Sequence, residues 1–205
     1  MHLPRVFLAS TFLFTCAGIA QSDVAAADDL RVTLQKRVHK NDAGETLPYR
    51  LYVPDDYDKT KPHALILFLH GAGERGSDNE AQLKHAQFLR FASAEAQQKQ
   101  PTIIVAPQCP AGQMPDGEDD YKWVQVSWGA KSPIPTPKKP SYGMRLTFEI
   151  LDALEKEFNI DPNRRYVTGL SMGGYGTFDA LVRRPKYWAA AVPICGGMDN
   201  SQADA

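Results

Sequence analysis

The sequence predicts an α/β fold: a mostly parallel sheet with an antiparallel hairpin at its N-terminal edge and helices on its faces. Ala64 to Leu69 and Thr102 to Ala106 are unbroken apolar runs, the pattern of strands buried on both faces. Helix-forming segments lie between and after these runs, one of them with an apolar stripe at helical spacing. Strands alternating with helices make βαβ units, and their right-handed crossovers give a parallel sheet.

The chain has 205 residues, enough for one domain with its own core. Its formal net charge is −1, which gives no electrostatic case for nucleic acid or an anionic membrane as partner. Lys138-Lys139 is the nearest approach to a basic patch, and such a pair reads as solvated surface. Residues 1–27 read as a signal peptide. Arg5 supplies the positive end, and the apolar run Val6 to Ala20 is shorter than the roughly 20 residues of a membrane helix. Small residues follow, so cleavage is expected after Ala20 or, at Ala25-Ala26-Ala27, after Ala27. An uncleaved anchor or a core helix is the competing reading, and Leu13-Phe14-Thr15-Cys16 is a poor match to a lipoprotein cleavage box. No stable membrane insertion is expected once the leader is gone, and export to the periplasm or the extracellular space follows.

Along the chain, Leu30 to Val38 alternates at its start and predicts a half-exposed strand. Asn41-Asp42-Ala43-Gly44 is a turn signal, and Leu47 to Val53 reads as the returning strand of the hairpin. The buried strand Ala64 to Leu69 comes next. Asn79 to Gln98, rich in Ala, Gln, Glu and Leu, predicts a helix before the buried strand Thr102 to Ala106. Gln108 to Pro140 is a long proline-rich loop, of the length that is usually functional or disordered. Its Gly117-Glu118-Asp119-Asp120 does not match a calcium loop and reads as solvated, while Trp123 and Trp128 either line a cleft or pack. Met144, Phe148, Leu151, Leu154 and Phe158 stripe a helix over Ser141 to Phe158. Asp161-Pro162-Asn163 predicts a turn, Arg165 to Thr168 a short strand, Gly174 to Arg184 a helix and Ala189 to Ile194 a further buried strand.

Two glycine-rich segments carry chemistry. Gly169-Leu170-Ser171-Met172-Gly173 has the form G-x-S-x-G, follows the predicted strand Tyr166-Val167-Thr168 and opens a helix. That is the setting of a nucleophile elbow: small residues let backbone approach backbone, and the strained turn lifts the Ser171 hydroxyl above the sheet. The helix N-terminus behind it favours developing negative charge. His70-Gly71-Ala72-Gly73-Glu74-Arg75-Gly76 follows the buried strand Ala64 to Leu69, where this kind of site supplies an oxyanion donor. The backbone N–H groups of Ala72 and Met172 are the expected pair. His70 precedes the serine in the chain and is expected to be structural, and Glu74 and Arg75 are expected to pin the loop by a local ion pair. No metal or cofactor site is expected.

Leu51-Tyr52-Val53-Pro54, Leu69 to Gly76, Ala106-Pro107-Gln108-Cys109-Pro110 and Gly169 to Gly176 together resemble the predicted-peptidase and carboxylesterase branch of the α/β-hydrolases. That branch neighbours the phospholipase/carboxylesterase, prolyl-oligopeptidase-like, feruloyl and polyester depolymerase-type enzymes. The likeness runs from about Leu30 to Met198. It implies an α/β-hydrolase fold and cofactor-free hydrolysis of an ester, or in second place a peptide, through a Ser–His–Asp triad. It also implies that acid and histidine come after the serine, on loops following two later strands. Only Asp179, Asp199 and Asp204 follow Ser171, and no histidine does. Asp179 falls in the elbow helix and Asp199 one strand too early. Residues 28–205 are therefore expected to be the N-terminal part of an α/β-hydrolase domain, incomplete at its C-terminus. The expected function is that of an exported serine hydrolase of carboxylesterase type, acting on a small-molecule or polymer ester, with the chain alone inactive. The alternative is a non-catalytic fragment or pseudoenzyme serving as a secreted binding module. In the strand order that the resemblance implies, two strands separate Cys109 from Cys195. At about 4.8 Å per step that is roughly 14 Å, too far for a disulfide.

Overall fold

The computed structural model describes residues 30–112, 121–125, 138–199 and 201. The leader at 1–27, the acidic stretch Gly117-Glu118-Asp119-Asp120, Trp128 and Asp204 lie outside the described residues.

The strands are β1 (Gln35–Lys40), β2 (Thr46–Tyr52), β3 (His63–Leu69), β4 (Thr102–Pro107), β5 (Ile160–Leu170) and β6 (Ala190–Ile194). The α-helices are α1 (Ala94–Lys99), α2 (Tyr142–Glu157) and α3 (Met172–Arg183). They form one six-stranded sheet in the order β1-β2-β4-β3-β5-β6. The hairpin is antiparallel and β2 meets β4 antiparallel, while β4, β3, β5 and β6 run parallel. This is the expected mostly parallel sheet with an N-terminal hairpin, flanked by helices, and it is the α/β-hydrolase fold.

The unalternating runs are explained by a core on each face. Every residue of β3 and β4 is buried. Leu65, Leu67, Ile103 and Val105 join the cluster that holds Met144, Leu151 and Leu154 of α2. Phe68, Ile104 and Ala106, one residue out of step, join Leu34, Leu83, Phe88 and Leu89 on the other face. Strand period two divides each run between the two cores. Helix α2 starts at Ser141, whose hydroxyl accepts the Met144 N–H at 3.1 Å, an N-cap on the predicted stripe.

Four expectations are corrected. Residues 30–33 form a helical turn rather than the start of a strand, tied by the Thr33 hydroxyl to the Leu30 carbonyl at 2.7 Å. Leu34 is then buried as a plug, and β1 begins at Gln35. Asn79 to Gln98 is not one helix: 3₁₀ turns at Ala81–Leu83 and Ala86–Ala92 precede the short α1. The break falls at Ser93, which is extended and caps the Ala96 N–H, so a local side-chain bond overrides composition. Asp161-Pro162-Asn163 is a bulge inside an eleven-residue strand, since β3 pairs His63 with Ile160 and then Leu65 with Arg165. Finally, β6 is not buried on both sides. Val192 is 59% and Ile194 45% exposed, because among the described residues β6 pairs only with β5 and its face away from α3 opens on an apolar groove. The groove holds about 740 Å³ and is lined by Phe68, Phe88, Phe91, Tyr166, Val192 and Ile194 among others.

An apolar edge strand beside an open apolar groove favours self-association. Residues 28–205 expressed alone are expected to bind anilinonaphthalene sulfonate and to elute as oligomers. Val192→Lys, which places a charge on the exposed edge, is expected to lower both signals about twofold or more with an unchanged far-UV spectrum. A dye-silent monomer before substitution is the contrary outcome.

Candidate active site

Ser171 occupies the single residue between β5 and α3, at φ +54° and ψ −113°, and its side chain is exposed. This backbone conformation costs a serine on the order of 1–3 kcal/mol and persists only where its surroundings over-determine it. The surroundings do so here. The Ser171 N–H donates to the Ile194 carbonyl at 2.8 Å, and the Ser171 carbonyl accepts the Tyr175 N–H at 3.1 Å. A β-carbon on Gly173 would land on the Leu69 carbonyl oxygen, and one on Gly169 would land on the Gly173 carbonyl. Two glycines thus allow the first turn of α3 to rest against the ends of β3 and β5.

The turn after β3 lies against this elbow. A β-carbon on Gly71 would sit 3.8 Å from the Ser171 β-carbon and 3.5 Å from the Leu170 carbonyl oxygen. Ala72–Glu74 is a single 3₁₀ turn. Ala72 therefore belongs to the turn beside Ser171, and Met172 opens α3 immediately after it.

His70 is fully buried below that turn. Its Nδ1 lies 2.6 Å from the Gly71 carbonyl and its Nε2 accepts the Cys109 N–H at 2.9 Å, which makes Nδ1 the protonated nitrogen. Its carbonyl accepts the indole N–H of the buried Trp123 at 2.9 Å. Burial lowers its pKa to about 4, opposed by the Gly71 hydrogen bond. With both nitrogens engaged, His70 has no lone pair for a serine proton, as its place in the chain predicted. Trp123 is a packing residue and not a cleft wall.

The expected Glu74–Arg75 ion pair is corrected. Glu74 is buried and its Oε1 lies 3.2 Å from His85 Nε2. Arg75 points elsewhere, donating to the Ala72 carbonyl at 3.1 Å and the Tyr121 carbonyl at 3.2 Å. Arg75 still pins the loop, but through backbone acceptors. Among the described residues, the other histidines are placed away from the elbow or already engaged: His39 on β1 lies 2.9 Å from Glu149, His63 opens β3 at its far end, and His85 lies 3.2 Å from Glu74. Asp179 is buried in α3 with one oxygen bonded to Arg183 at 2.7 Å, and burial raises its pKa. Asp199 accepts from the Ser201 N–H and hydroxyl. Cys109 is buried and Cys195 exposed, both free thiols, and burial pushes the Cys109 pKa up, away from reactivity. Among the described residues, no group of three or more His, Cys, Asp or Glu is placed to hold a metal, and no helix is long and apolar enough to cross a membrane.

Sequence reading gave no role to Gln108 or Asn79, which tie the turn to its neighbours. The Ala106-Pro107-Gln108-Cys109-Pro110 segment was visible, but nothing in it says where an amide side chain points.

The chain resembles known proteins over most of its length. The family described as "Putative esterase" matches residues 41–203. A crystal structure of a thermostable esterase superposes with a TM-score of 0.73 at 37% identity, covering 85% of this chain and 44% of that one. "Probable feruloyl esterase C" of Aspergillus niger is 24% identical over 167 residues, 81% of this chain and 51% of that protein. A bifunctional acetylxylan esterase/xylanase of Neocallimastix patriciarum is 26% identical over 161 residues, 77% of this chain and 19% of that protein. The chain thus spans about half, or less, of each of these three proteins.

The buried neutral His70 sets a pH dependence. Its folded pKa of about 4 lies below the ordinary 6.5, so unfolding takes up a proton between these values. Its contribution to stability is complete above about pH 6.5 and is lost as pH falls toward 4, by up to about 3 kcal/mol. Urea unfolding at pH 7 and pH 4.5 should show a larger acid loss for the wild type than for His70→Asn. Equal losses would mean that His70 is not held neutral.

Proposed function

The chain belongs to the esterase family, and from that premise we propose that it is the nucleophile-bearing part of an exported serine hydrolase of carboxylesterase type. The observation that carries this reading is Ser171 itself: exposed, at φ +54° on the strand-to-helix turn, with the Gly71–Glu74 turn packed beside it. A helix can be capped without such strain, and strain of this kind collects at reacting residues.

In the proposed reaction the Ser171 oxygen attacks the ester carbonyl carbon while a base takes the hydroxyl proton. The carbonyl π bond opens, and its oxygen becomes an oxyanion that accepts hydrogen bonds from the Ala72 and Met172 N–H groups. The start of α3 adds its partial positive charge. The C–O bond to the alcohol then breaks, the alcohol leaves with the proton held by the base, and water releases the acyl group in a second round. His70 does not serve as that base, for its ring nitrogens are committed. The histidine and the acid that orients it are assigned to the part of the protein beyond these 205 residues. Oxyanion donors without a base still leave a residual acceleration of about 10³-fold over water. The names of the relatives support acetyl and feruloyl esters as the first substrates to try, ahead of peptides.

Ser171→Ala in the protein expressed from its complete reading frame is expected to lower p-nitrophenyl acetate and methyl ferulate hydrolysis by about 10⁴-fold or more. A fluorophosphonate probe should label the wild type and not the variant. Full labelling of the Ala variant removes Ser171 from the mechanism. A folded wild type that takes up neither probe nor ester supports instead a secreted binding module.

Export rests on the leader at residues 1–27. The mature protein should begin at Gln21 or Asp28 by N-terminal sequencing. A mature chain starting at Met1 contradicts it.

A further inference from the structure

We propose that Gln108 is a positioning residue for catalysis, holding the Ala72 turn in register with Ser171. This rests on the reading of Ala72 as an oxyanion donor.

Strands β3 and β4 are parallel neighbours, with Leu67 opposite Val105, so the loops that follow them emerge side by side. Gln108 is the first residue after β4 and is fully buried. Its amide nitrogen donates to the Glu74 carbonyl at 3.2 Å and to the Asp78 carboxylate at 2.8 Å. Its amide oxygen accepts the Asn79 N–H at 2.7 Å. Its own backbone N–H is anchored on the Pro48 carbonyl of β2 at 2.8 Å. Next to it, the Cys109 N–H donates to His70, and the Cys109 carbonyl accepts the Gly76 N–H at 3.0 Å.

The Ala72 turn is therefore bracketed at both ends by one dipeptide that follows the neighbouring strand β4. His70 is held before it, and Glu74 and Gly76 after it. Glu74 is the last residue of the 3₁₀ turn, so the Gln108 amide acts on the carbonyl two residues beyond the Ala72 N–H. Both hydrogens of that amide are used, in directions about 120° apart, which fixes the loop in two directions at once. The far anchor is rigid as well. Asn79 has φ +55°, and its side-chain amide donates to the Tyr49 carbonyl at 3.2 Å. Asn79 thereby ties the turn to β2 as well as to Gln108. Near Gly76 the fit leaves little slack, since a β-carbon there would lie 3.1 Å from the Gln108 amide nitrogen.

Only glutamine meets this set. Leucine has its size but leaves the Asn79 N–H without an acceptor and the Asp78 carboxylate without a donor. Glutamate keeps the acceptor, loses both donors and faces Asp78 with like charge. An oxyanion donor must lie about 2.7–3.1 Å from the oxygen it stabilises, and a displacement near 1 Å costs about 10²-fold in rate. That contact strengthens as the carbonyl oxygen becomes an oxyanion, so its loss falls on kcat more than on KM.

The test uses the protein expressed from its complete reading frame, with Gln108→Leu and Gln108→Glu beside Ser171→Ala. Both Gln108 variants are expected to lower kcat for p-nitrophenyl acetate by about 10–100-fold with KM within about twofold. A trifluoromethyl ketone, which forms a tetrahedral adduct on the serine, should lose affinity by the same factor as kcat. Gln108→Glu should recover part of its defect as pH falls and its carboxyl regains a proton to donate, and Gln108→Leu should not. Unchanged kcat and ketone affinity with only a lowered Tm would overturn the proposal, and so would failure of both variants to fold, since either result leaves Gln108 a purely structural role. Retention of activity by Ser171→Ala would instead reject the nucleophile assignment on which it rests.

Discussion

The C-terminal end of the sheet depends on how closely the start of α3 approaches the ends of β3 and β5. Gly173 rests on the Leu69 carbonyl and Gly169 on the Gly173 carbonyl, with no room for a β-carbon at either place. That backbone-on-backbone contact sets where Ser171 must stand, and the Ile194 carbonyl holds its N–H from the next strand. Three parallel strands therefore converge on one residue. The strain at Ser171 is sustained because relaxing it would lift α3 off the sheet, together with the buried face that carries Met172, Thr177 and Ala180.

Close approach has a second consequence: polar groups are trapped beneath the elbow and must be satisfied there. An unmet buried donor or acceptor costs about 1–3 kcal/mol. His70 meets this by staying neutral and dividing its ring between the Gly71 carbonyl and the Cys109 N–H. Trp123 fills the space under the His70 carbonyl and packs where Gly176 and Gly143 leave room. Gln108 and Asn79 close the outer side. The loops around Ser171 are thus held by directional bonds, the condition under which N–H groups can be pre-aimed at a developing charge.

The two faces of the sheet are unequally covered. On one side α2 and α3 pack on Leu65, Leu67, Ile103 and Val105. Charged groups reinforce that side: Tyr187 donates to Glu155 of α2 at 2.5 Å, and Arg165 of β5 pairs with Glu155 at 3.0 Å while lying over the Tyr187 ring. On the other side the 3₁₀ turns cover only Phe68, Ile104 and their neighbours, and the surface toward β6 is open. The same asymmetry explains why β6 carries apolar side chains that are half exposed.

The sequence alone determined the strands that are buried twice, the helix α2, the elbow at Ser171 and the glycine-rich turn before it. These are set by short-range signals: unbroken apolar runs, a 3.6-residue stripe, and glycines where no β-carbon fits. Such signals depend on backbone geometry and on burial, both of which leave a mark in composition. The tertiary structure decided the rest. Whether Asn79 to Gln98 is one helix or three short turns depends on Asp78 and Ser93 winning backbone N–H groups from the helix. Whether Asp161 to Arg164 leaves the sheet or bulges within it depends on β3 holding both sides of the gap. The partners of Glu74, Arg75 and Gln108 depend on which loops emerge side by side. A hydrogen bond between residues 29 or more apart in the chain leaves no periodicity in the sequence, because it is selected by direction and distance once the strands have been ordered.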